Sequence, residues 1–306
     1  MDPIFIQIGS FTIAWYGVLM TAGILGGAII GQRLAKARGL NASLFSDMAF
    51  WLVVWGIIGA RIGFIVTSPQ DFVGKGFIDY INIRAGGLSI HGGLIAGLLA
   101  FAYYVWRYKL NFYRYVDIMT PAIGLGVIGG RLGNIMNGSD TVGRLTGWPV
   151  GFTWPTWATG FPGVCKTAGG GYDLVGYAPC IEAAVRGPVH FTQLYGVIIG
   201  IILLVASFYW LRSKRPGWAF WQLVLWYSLL RAGVEETFRL NPLSWPVFLS
   251  EGPDASGIGL FTLTQVVSIP LIIVAIIMLV IIRKRPEEPV VLPAPETNPT
   301  PQVKNA

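Results

Sequence analysis

Charged side chains are scarce in this chain of 306 residues. Aspartate, glutamate, lysine and arginine make up 12% of the sequence, and hydrophobic residues make up 54%. Soluble domains carry about 25% charged residues, so this composition excludes an ordinary soluble globular domain. The sequence therefore predicts an integral membrane protein.

Histidine and cysteine are also rare, with two residues of each. The chain contains no phosphate-binding glycine loop, no dinucleotide fingerprint and no metal-ligand spacing, so we expect neither a metal nor another cofactor. Cys165 and Cys180 both lie in one long segment between apolar runs, at 139–189. In an oxidising compartment a disulfide is the interpretation we favour, and a reactive thiol is the alternative.

Seven apolar runs of about 20 residues follow one another, each long enough to cross a bilayer as a helix. They lie at 11–34, 45–67, 87–106, 115–135, 192–211, 217–238 and 261–282. The predicted fold class is an all-α polytopic membrane protein with seven transmembrane helices. We expect the first run to remain as an uncleaved anchor, because the residues before it lack the basic start of a signal peptide.

Clusters of lysine and arginine predict the orientation, because they are enriched in cytoplasmic loops. They follow the first, third, fifth and seventh runs, at 33–38, 107–114, 212–215 and 283–285. All four fall on one side only if the runs number seven, so the N-terminus is predicted outside and the C-terminus inside. The formal net charge of +7 is then anchoring charge at the inner leaflet and not a nucleic-acid footprint.

The predicted organisation is a seven-helix catalytic domain at 1–285 with an extracytoplasmic loop or head at 139–189. The tail at 286–306 is rich in proline, glutamate, threonine and asparagine. This composition is typical of disorder, so we expect a disordered cytoplasmic tail.

The most informative segment ends the fourth apolar run and reads Gly-Gly-Arg-Leu-Gly-Asn-Ile-Met-Asn-Gly at 129–138. Arg131, Asn134 and Asn137 are costly if they face hydrocarbon, at roughly 2.5 kcal/mol or more for a central arginine. The interleaved glycines let backbone or a ligand approach closely. Because a permanently charged guanidinium beside bare backbone suits a phosphate group, a lipid headgroup is the first candidate ligand.

Polar residues gather at the outer ends of five or six predicted helices, whereas the inner half of the bundle has almost none. Their shared depth predicts a common cavity in the outer leaflet. Its candidate residues are Arg61, His91, Arg131, Asn134, Asn137, His190, Thr192, Gln193, Tyr195, Arg231, Glu235, Arg239, Gln265 and Ser268.

Each of these residues also has a purely structural explanation. Arg61 could extend to the interface, as lone arginines near helix ends do. Arg231 and Glu235 lie one helical turn apart and could form an ion pair that fixes helix packing. His91 could be a packing histidine, and the asparagines could cap a helix or join two helices. The convergence of all of them at one depth favours the cavity.

A cavity with arginines and a histidine, open sideways to lipid, fits a reaction on a phospholipid. The arginines would stabilise a phosphodiester that becomes a leaving group. A neutral histidine could accept a proton from the incoming nucleophile. Without a nucleotide site the group donor must already be activated, and a membrane phospholipid is.

Several blocks in the chain resemble one family, in the order expected for it. Beside the signature at 129–138, they are Trp-Tyr-Gly at 15–17, Gly-Ala-Arg-Ile-Gly at 59–63, Gly-Gly-Leu-Ser-Ile-His-Gly-Gly-Leu at 86–94, His-Phe-Thr-Gln-Leu-Tyr at 190–195, the residues 231–235 and Gln-Val-Val-Ser-Ile-Pro at 265–270. Over most of its length the chain resembles the bacterial phosphatidylglycerol–prolipoprotein diacylglyceryl transferases.

The resemblance implies a multi-pass enzyme of the bacterial inner membrane with its active site at the outer leaflet. It implies transfer of the diacylglyceryl group of phosphatidylglycerol to the lipobox cysteine thiol of a preprolipoprotein, which forms a thioether and releases glycerol phosphate. The expected partners are phosphatidylglycerol, the lipobox-bearing signal peptide of the preprolipoprotein and the surrounding membrane lipids, with no nucleic acid.

The resemblance also implies roles for single residues. Arg131 and Arg231 match the family's two most important arginines and are assigned to the phosphate, and His91 matches the histidine assigned to thiol activation. These three are the expected catalytic residues. The expected substrate-binding residues are Tyr16, Arg61, Asn134, Asn137, Asp140, His190, Gln193, Glu235 and Arg239.

A few positions depart from the family's pattern. Ser139 and Asp140 stand where a glutamate usually follows the signature, and Asp140 is the candidate replacement. Phe191 stands in place of a proline, and Gly196 stands in place of a glutamate. These departures concern the side of the site that would receive the protein substrate.

The alternative function is that of a divergent paralogue that binds or transports a lipid or small molecule. Transporters often show an internal repeat with broken helices at the midplane, and the sequence shows no convincing repeat. A retinal-binding receptor is nearly excluded, because Lys284 lies at the cytoplasmic exit of the last apolar run and not within it.

Overall fold

The computed structural model describes residues 4–9, 11–83, 87–137, 143–153, 163–166, 172–175, 188–239, 248–251 and 257–288, and over these residues the chain is mostly helical. The helices are α1 (Trp15–Ala37), α2 (Ala42–Thr67), α3 (Phe77–Ile81), α4 (Ile90–Arg107), α5 (Phe112–Asn137), α6 (Thr192–Trp210), α7 (Trp218–Leu230) and α8 (Leu263–Arg283). Three antiparallel strand pairs accompany them: β1 (Ile4–Ile8) with β2 (Phe11–Ala14), β3 (Gly163–Lys166) with β4 (Tyr172–Val175), and β5 (Phe248–Glu251) with β6 (Gly257–Leu260).

Four of the helices, α1, α2, α6 and α8, are long and apolar enough to cross a membrane. Large apolar side chains on their surfaces are exposed, for example Ile273 and Ile277 of α8. Extensive exposed apolar surface marks a face that another apolar phase covers, which is lipid here. The prediction of a helical membrane protein is confirmed at this level. Helices α4, α5 and α7 occupy the other three predicted positions, and their assignment as spans stays a prediction.

The chain forms two compact units. The first unit contains Met1–Gly31 and Phe112–Glu287, and the second unit contains Gln32–Asn111. The catalytic domain predicted at 1–285 includes both units. The tail predicted at 286–306 lies outside the described residues from position 289 onwards.

Helix α5 lies at the centre of the first unit, where it packs against α6 and α7, and α7 packs in turn against α8. Pro121 stands inside α5 and has no N–H to donate to the carbonyl of Asp117, four residues earlier. The buried hydroxyl of Thr120 donates to that carbonyl instead, at 2.8 Å. The helix therefore continues through the proline without leaving this buried carbonyl unsatisfied.

A side chain from α5 fixes the start of α7. Asp117 accepts hydrogen bonds from the backbone N–H groups of Gly217 (2.7 Å) and Phe220 (2.8 Å). The first N–H groups of a helix lack partners within the helix, and a carboxylate there also complements the helix dipole. Gly217 has a φ of 89°, a backbone conformation that favours glycine. Asp117 was not among the residues predicted from the sequence.

In the second unit α2 and α4 pack along each other. A β-carbon placed on Gly92 would overlap the carbonyl oxygen of Gly59, so the two backbones touch only because neither residue has a side chain. Asn41 caps α2 by accepting from the N–H of Leu44 (2.9 Å), and Ser89 caps α4.

Candidate active site

The polypeptide changes helical pitch just where the predicted catalytic Arg231 lies. Helix α7 ends at Leu230, Arg231–Glu235 form one π turn, and Glu236–Phe238 form a 3-10 turn. The N–H of Glu236 donates to the carbonyl of Arg231, five residues earlier, instead of four. Such wide turns recur at functional sites because they redirect the side chains that follow.

Glu235 binds both of the predicted catalytic arginines. Arg131 Nη2, from α5, lies 2.6 Å from Glu235 Oε1, and Arg231 Nη1 contacts the same oxygen. The Glu235 side chain is 1% exposed and each of the two arginine side chains is 13% exposed. One buried carboxylate thus holds two guanidinium groups from different helices close together.

Two further charged residues extend this group. Glu236 is fully buried, and its Oε2 lies 3.3 Å from Arg231 Nη2 and 3.7 Å from Arg239 Nη1. We call Arg131, Arg231, Glu235, Glu236 and Arg239 the arginine cluster. Its three arginines and two glutamates carry a formal net charge of +1. Because the cluster is mostly removed from water, that excess positive charge attracts an anion more strongly than it would at the surface.

The signature on α5 aligns the neighbours of Arg131. With the side-chain amide of Asn134 oriented to satisfy its hydrogen bonds, its oxygen accepts from Arg131 Nη1 (3.1 Å) and its nitrogen donates to the carbonyl of Gly130 (3.3 Å). Gly133 admits Tyr16 of α1, since a β-carbon on Gly133 would lie 3.1 Å from the Tyr16 α-carbon and overlap its ring. The predicted residues Arg131 and Asn134 are therefore hydrogen-bonded to each other, and the predicted Tyr16 packs against the same helix at Gly133.

Gly196 on α6 leaves room for the side chain of Arg131. A β-carbon at position 196 would lie 2.7 Å from Cγ, Cδ and Nε of Arg131, closer than real β-carbons approach other atoms. The Arg131 side chain therefore lies across the bare backbone of α6 on its way to Glu235. Gly196, which the resemblance predicts to be a departure, therefore has a structural role in this chain.

His190 precedes α6 and is packed among aromatic rings. Its imidazole is 4% exposed, stacks on Phe238 with ring centroids 4.2 Å apart, and lies edge-on to Trp148. Nδ1 lies 3.1 Å from the hydroxyl of Tyr195. Burial lowers the pKa of His190, so the ring is neutral at neutral pH. The predicted Gln193 is also buried, in the first turn of α6.

A short segment ties His190 to the end of the π turn. The N–H of Arg144 donates to the carbonyl of Phe238, and the N–H of His190 donates to the carbonyl of Arg144, both at 2.8 Å. Gly143 forms an isolated β-bridge with Arg239. The backbone of 143–145 thus connects the start of α6 with the arginine cluster.

Comparisons of the sequence with known proteins show the family of this chain. The sequence model described as "Prolipoprotein diacylglyceryl transferase" matches residues 3–281. The chain belongs to this family. A protein named phosphatidylglycerol–prolipoprotein diacylglyceryl transferase from Deinococcus radiodurans is 56% identical over 93% of this chain and 86% of its own length. Proteins of the same name from Thermus thermophilus and a Thermoanaerobacter species are 50% and 31% identical, each over 90% of this chain and over 96% and 91% of their own lengths.

Two site residues expected from the resemblance to the diacylglyceryl transferase family lie in the second unit. His91 occupies the first turn of α4, and its side chain is exposed. Arg61 on α2 is buried, and its guanidinium donates to the backbone carbonyls of Asp79 (2.5 Å), Tyr80 (2.8 Å) and Gly87 (3.0 Å). It also lies over the ring of Phe72. Through these contacts Arg61 holds the backbone at Asp79, Tyr80 and Gly87 against α2.

Some of the predicted residues lie at or beyond the limits of the described residues. Asn137 is the last residue of α5, whereas Asp140 and Cys180 lie outside the described residues. Cys165 belongs to β3, but its side chain is outside the description. The disulfide and the role of Asp140 therefore stay predictions.

Three residues of the candidate site were not predicted from the sequence. Glu236 is the second carboxylate of the arginine cluster. Tyr227 lies one helical turn before Arg231 and near both Arg131 and Arg231. Arg144 is 1% exposed and stands beside His190. The signal that could have found Glu236 is the pair of adjacent acidic residues in an otherwise apolar run.

Proposed function

We propose that this chain transfers the diacylglyceryl group of phosphatidylglycerol to the lipobox cysteine thiol of a preprolipoprotein. The observation that carries the proposal is the arginine cluster, in which three guanidinium groups and two carboxylates leave a buried net charge of +1. That charge suits the phosphate of an anionic lipid. Relatives that are 56% and 50% identical to this chain over the aligned residues are named for this activity.

The proposed reaction is a displacement at carbon. The cysteine sulfur attacks the glyceryl carbon that carries the phosphate ester, so a C–S bond forms while that C–O bond breaks. The thiol proton passes to a base, and the leaving group departs as glycerol phosphate. Arg131 and Arg231 stabilise the charge that grows on the leaving phosphate, and donors preorganised in a dry site do this more effectively than water.

His91 is the proposed base. The chain has two histidines, and His190 is enclosed by aromatic rings with Nδ1 already next to the Tyr195 hydroxyl. His91 has an exposed side chain at the start of α4, which leaves its ring accessible to a thiol. A base must come within hydrogen-bond reach of the proton that it removes.

The other site residues hold or extend the phosphate site. Glu235 fixes the separation of the two catalytic arginines, and Asn134 orients the fork of Arg131. Arg239 adds positive charge through its contact with Glu236. The remaining residues proposed to bind the substrates are Tyr16, Arg61, Asn137, Asp140, His190 and Gln193.

We place the active site at the outer leaflet of the bacterial inner membrane, in a bundle of seven spans with the N-terminus outside. The basic clusters support this placement. Arg114 lies at the start of α5, whereas Arg131 lies near its end. Arg283 lies at the end of α8, whereas Gln265, which contacts the π turn, lies at its start. The site and the basic clusters are therefore at opposite ends of the same helices.

The test uses the purified full chain with labelled phosphatidylglycerol and a lipobox peptide, and detects the thioether product by mass. Arg131→Ala and Arg231→Ala should each lower the rate at least about 100-fold, the typical cost of removing a donor that stabilises the transition state. The matched control is Arg215→Ala, because Arg215 pairs with the half-exposed Glu287 away from the cluster. Wild-type rates in both cluster variants would refute the phosphate assignment, and absence of product with the wild-type chain would refute the proposed function.

A further inference from the structure

The π turn is held by side chains that do not belong to the arginine cluster. In a continuous α-helix the N–H of Glu236 would donate to the carbonyl of Ala232, but here it donates to the carbonyl of Arg231. The amide of Gln265, from α8, donates to the carbonyl of Ala232 at 3.0 Å. A side chain from another helix thus supplies a donor at the point where the pitch changes, a recognised cause of such changes.

Thr237 completes a chain of hydrogen bonds with Gln265. Gln265 Nε2 also donates to the hydroxyl of Thr237 (3.2 Å), and that hydroxyl donates to the carbonyl of Gly233 (3.0 Å). The amide oxygen of Gln265 accepts from the N–H of Thr262, which fixes the orientation of the amide. One amide and one hydroxyl therefore serve two successive carbonyls of the π turn.

A pocket lies beside these hydrogen bonds. Gln265 and Thr237 border this cavity of about 490 Å³ together with Ala232 and Gly233, two small residues of the turn. Because Ala232 and Gly233 offer little side-chain surface for packing, we infer that the hydrogen bonds hold this side of the turn. The pitch matters because Arg231 and Glu235 are the first and last residues of the turn.

We propose that Gln265, acting with Thr237, is a positioning residue that fixes the π turn and so the placement of Arg231 and Glu235 beside Arg131. The proposal rests on the transferase function given above. The hydrogen bonds of Gln265 to the turn reach the carbonyl of Ala232 and the hydroxyl of Thr237. Gln265 is thus proposed to act through the backbone of the turn and not by contact with the arginines or the substrates. A misplacement of about 1 Å at a reacting centre can cost about 100-fold in rate.

The experiment compares two substitutions that keep shape and remove hydrogen bonding. Gln265→Met and Thr237→Val should each lower kcat per folded molecule by roughly 10- to 100-fold, while the KM for the lipobox peptide stays within about twofold. Thr237→Ser, which keeps the hydroxyl, should stay within about threefold of the wild type. The matched control is Gln222→Met on α7, because the amide of Gln222 accepts from Trp226 at the exposed surface.

A double-mutant cycle separates positioning from general structural damage. Arg231→Lys already removes the planar fork, so Gln265→Met should cost less than about threefold on that background. Losses that multiply in the double variant would overturn the proposal, as would a Thr237→Ser variant as slow as Thr237→Val. If the wild-type chain and the Gln265→Met variant form product at equal rates, only the positioning role is overturned. If the wild-type chain forms no product, the proposed function is overturned as well.

Discussion

Glu235 is the residue whose replacement tests the arginine cluster most directly. Its carboxylate is 1% exposed and contacts both Arg131 and Arg231. Glu235→Gln keeps the shape but raises the formal charge of the cluster from +1 to +2. Attraction between opposite charges about 4 Å apart is worth about 4 kcal/mol at an effective dielectric constant of about 20. Loss of one partner from a buried ion pair typically costs about 3–5 kcal/mol, and we expect a loss of that size.

The matched control is Glu287→Gln. Glu287 also pairs with an arginine, at 3.1 Å from Arg215, but its side chain is 50% exposed. Exposed ion pairs contribute about 0–1 kcal/mol, so this substitution should change the free energy of unfolding by less than about 1 kcal/mol. The assay is reversible unfolding in mixed detergent micelles, followed by tryptophan fluorescence. Equal changes in the two variants would show that the cluster is not electrostatically coupled as the contacts indicate.

Three further changes have defined outcomes. Gly196→Ala should lower the transfer rate about tenfold or more, because the added β-carbon would lie 2.7 Å from the Arg131 side chain. Gly126→Ala is the control and should leave the rate unchanged, because a β-carbon there meets no atom within 4 Å. Arg131→Lys should lower the rate at least about tenfold although the charge is kept, because a lysine cannot contact Glu235 and Asn134 through two separate nitrogens. Arg215→Lys is the control and should have no effect. Equal rates in the two variants would contradict a role for the planar guanidinium of Arg131. Burial lowers the pKa of His190, so the unfolded chain takes up a proton near pH 6.5 that the folded chain does not. The free energy of unfolding should therefore fall as the pH drops below about 6.5, and His190→Gln should flatten that slope in unfolding curves measured across this range; a slope that survives the substitution would assign it to other groups.

Helix positions follow from the sequence because hydrocarbon imposes a length on apolar runs. The run at 45–67 corresponds to α2, Ala42–Thr67, and the run at 192–211 corresponds to α6, Thr192–Trp210. The predicted span at 217–238 does not remain an α-helix to its end, because the pitch changes at Arg231. Hydropathy records where a segment is apolar, but it does not record which carbonyl each N–H reaches.

The candidate site was predictable where charged residues stand within apolar runs, because such residues have few roles there. Arg131, Arg231 and Glu235 stand out because charge is rare in apolar runs, and the structure brings them together. Glu236 was missed because adjacent residues of an α-helix point about 100° apart, and only the wide turn lets both carboxylates reach Arg231. Asp117 was missed because its partners, Gly217 and Phe220, are remote in sequence.

The shared carboxylate of Glu235 also constrains how the protein is made. Arg131 is synthesised about a hundred residues before Glu235, and at about 5–20 residues per second that is a delay of roughly 5–20 s. During this interval Arg131, near the end of α5, lacks its carboxylate partner. An arginine costs at most about 2.5–3.5 kcal/mol on insertion scales, the value at the centre of a bilayer. Consistent with that cost, α5 is not among the helices apolar enough to span a membrane by composition within the described residues. In the proposed seven-span bundle, stable insertion of α5 is therefore expected to wait for the arrival of Glu235, which would make biogenesis of this helix dependent on a later one.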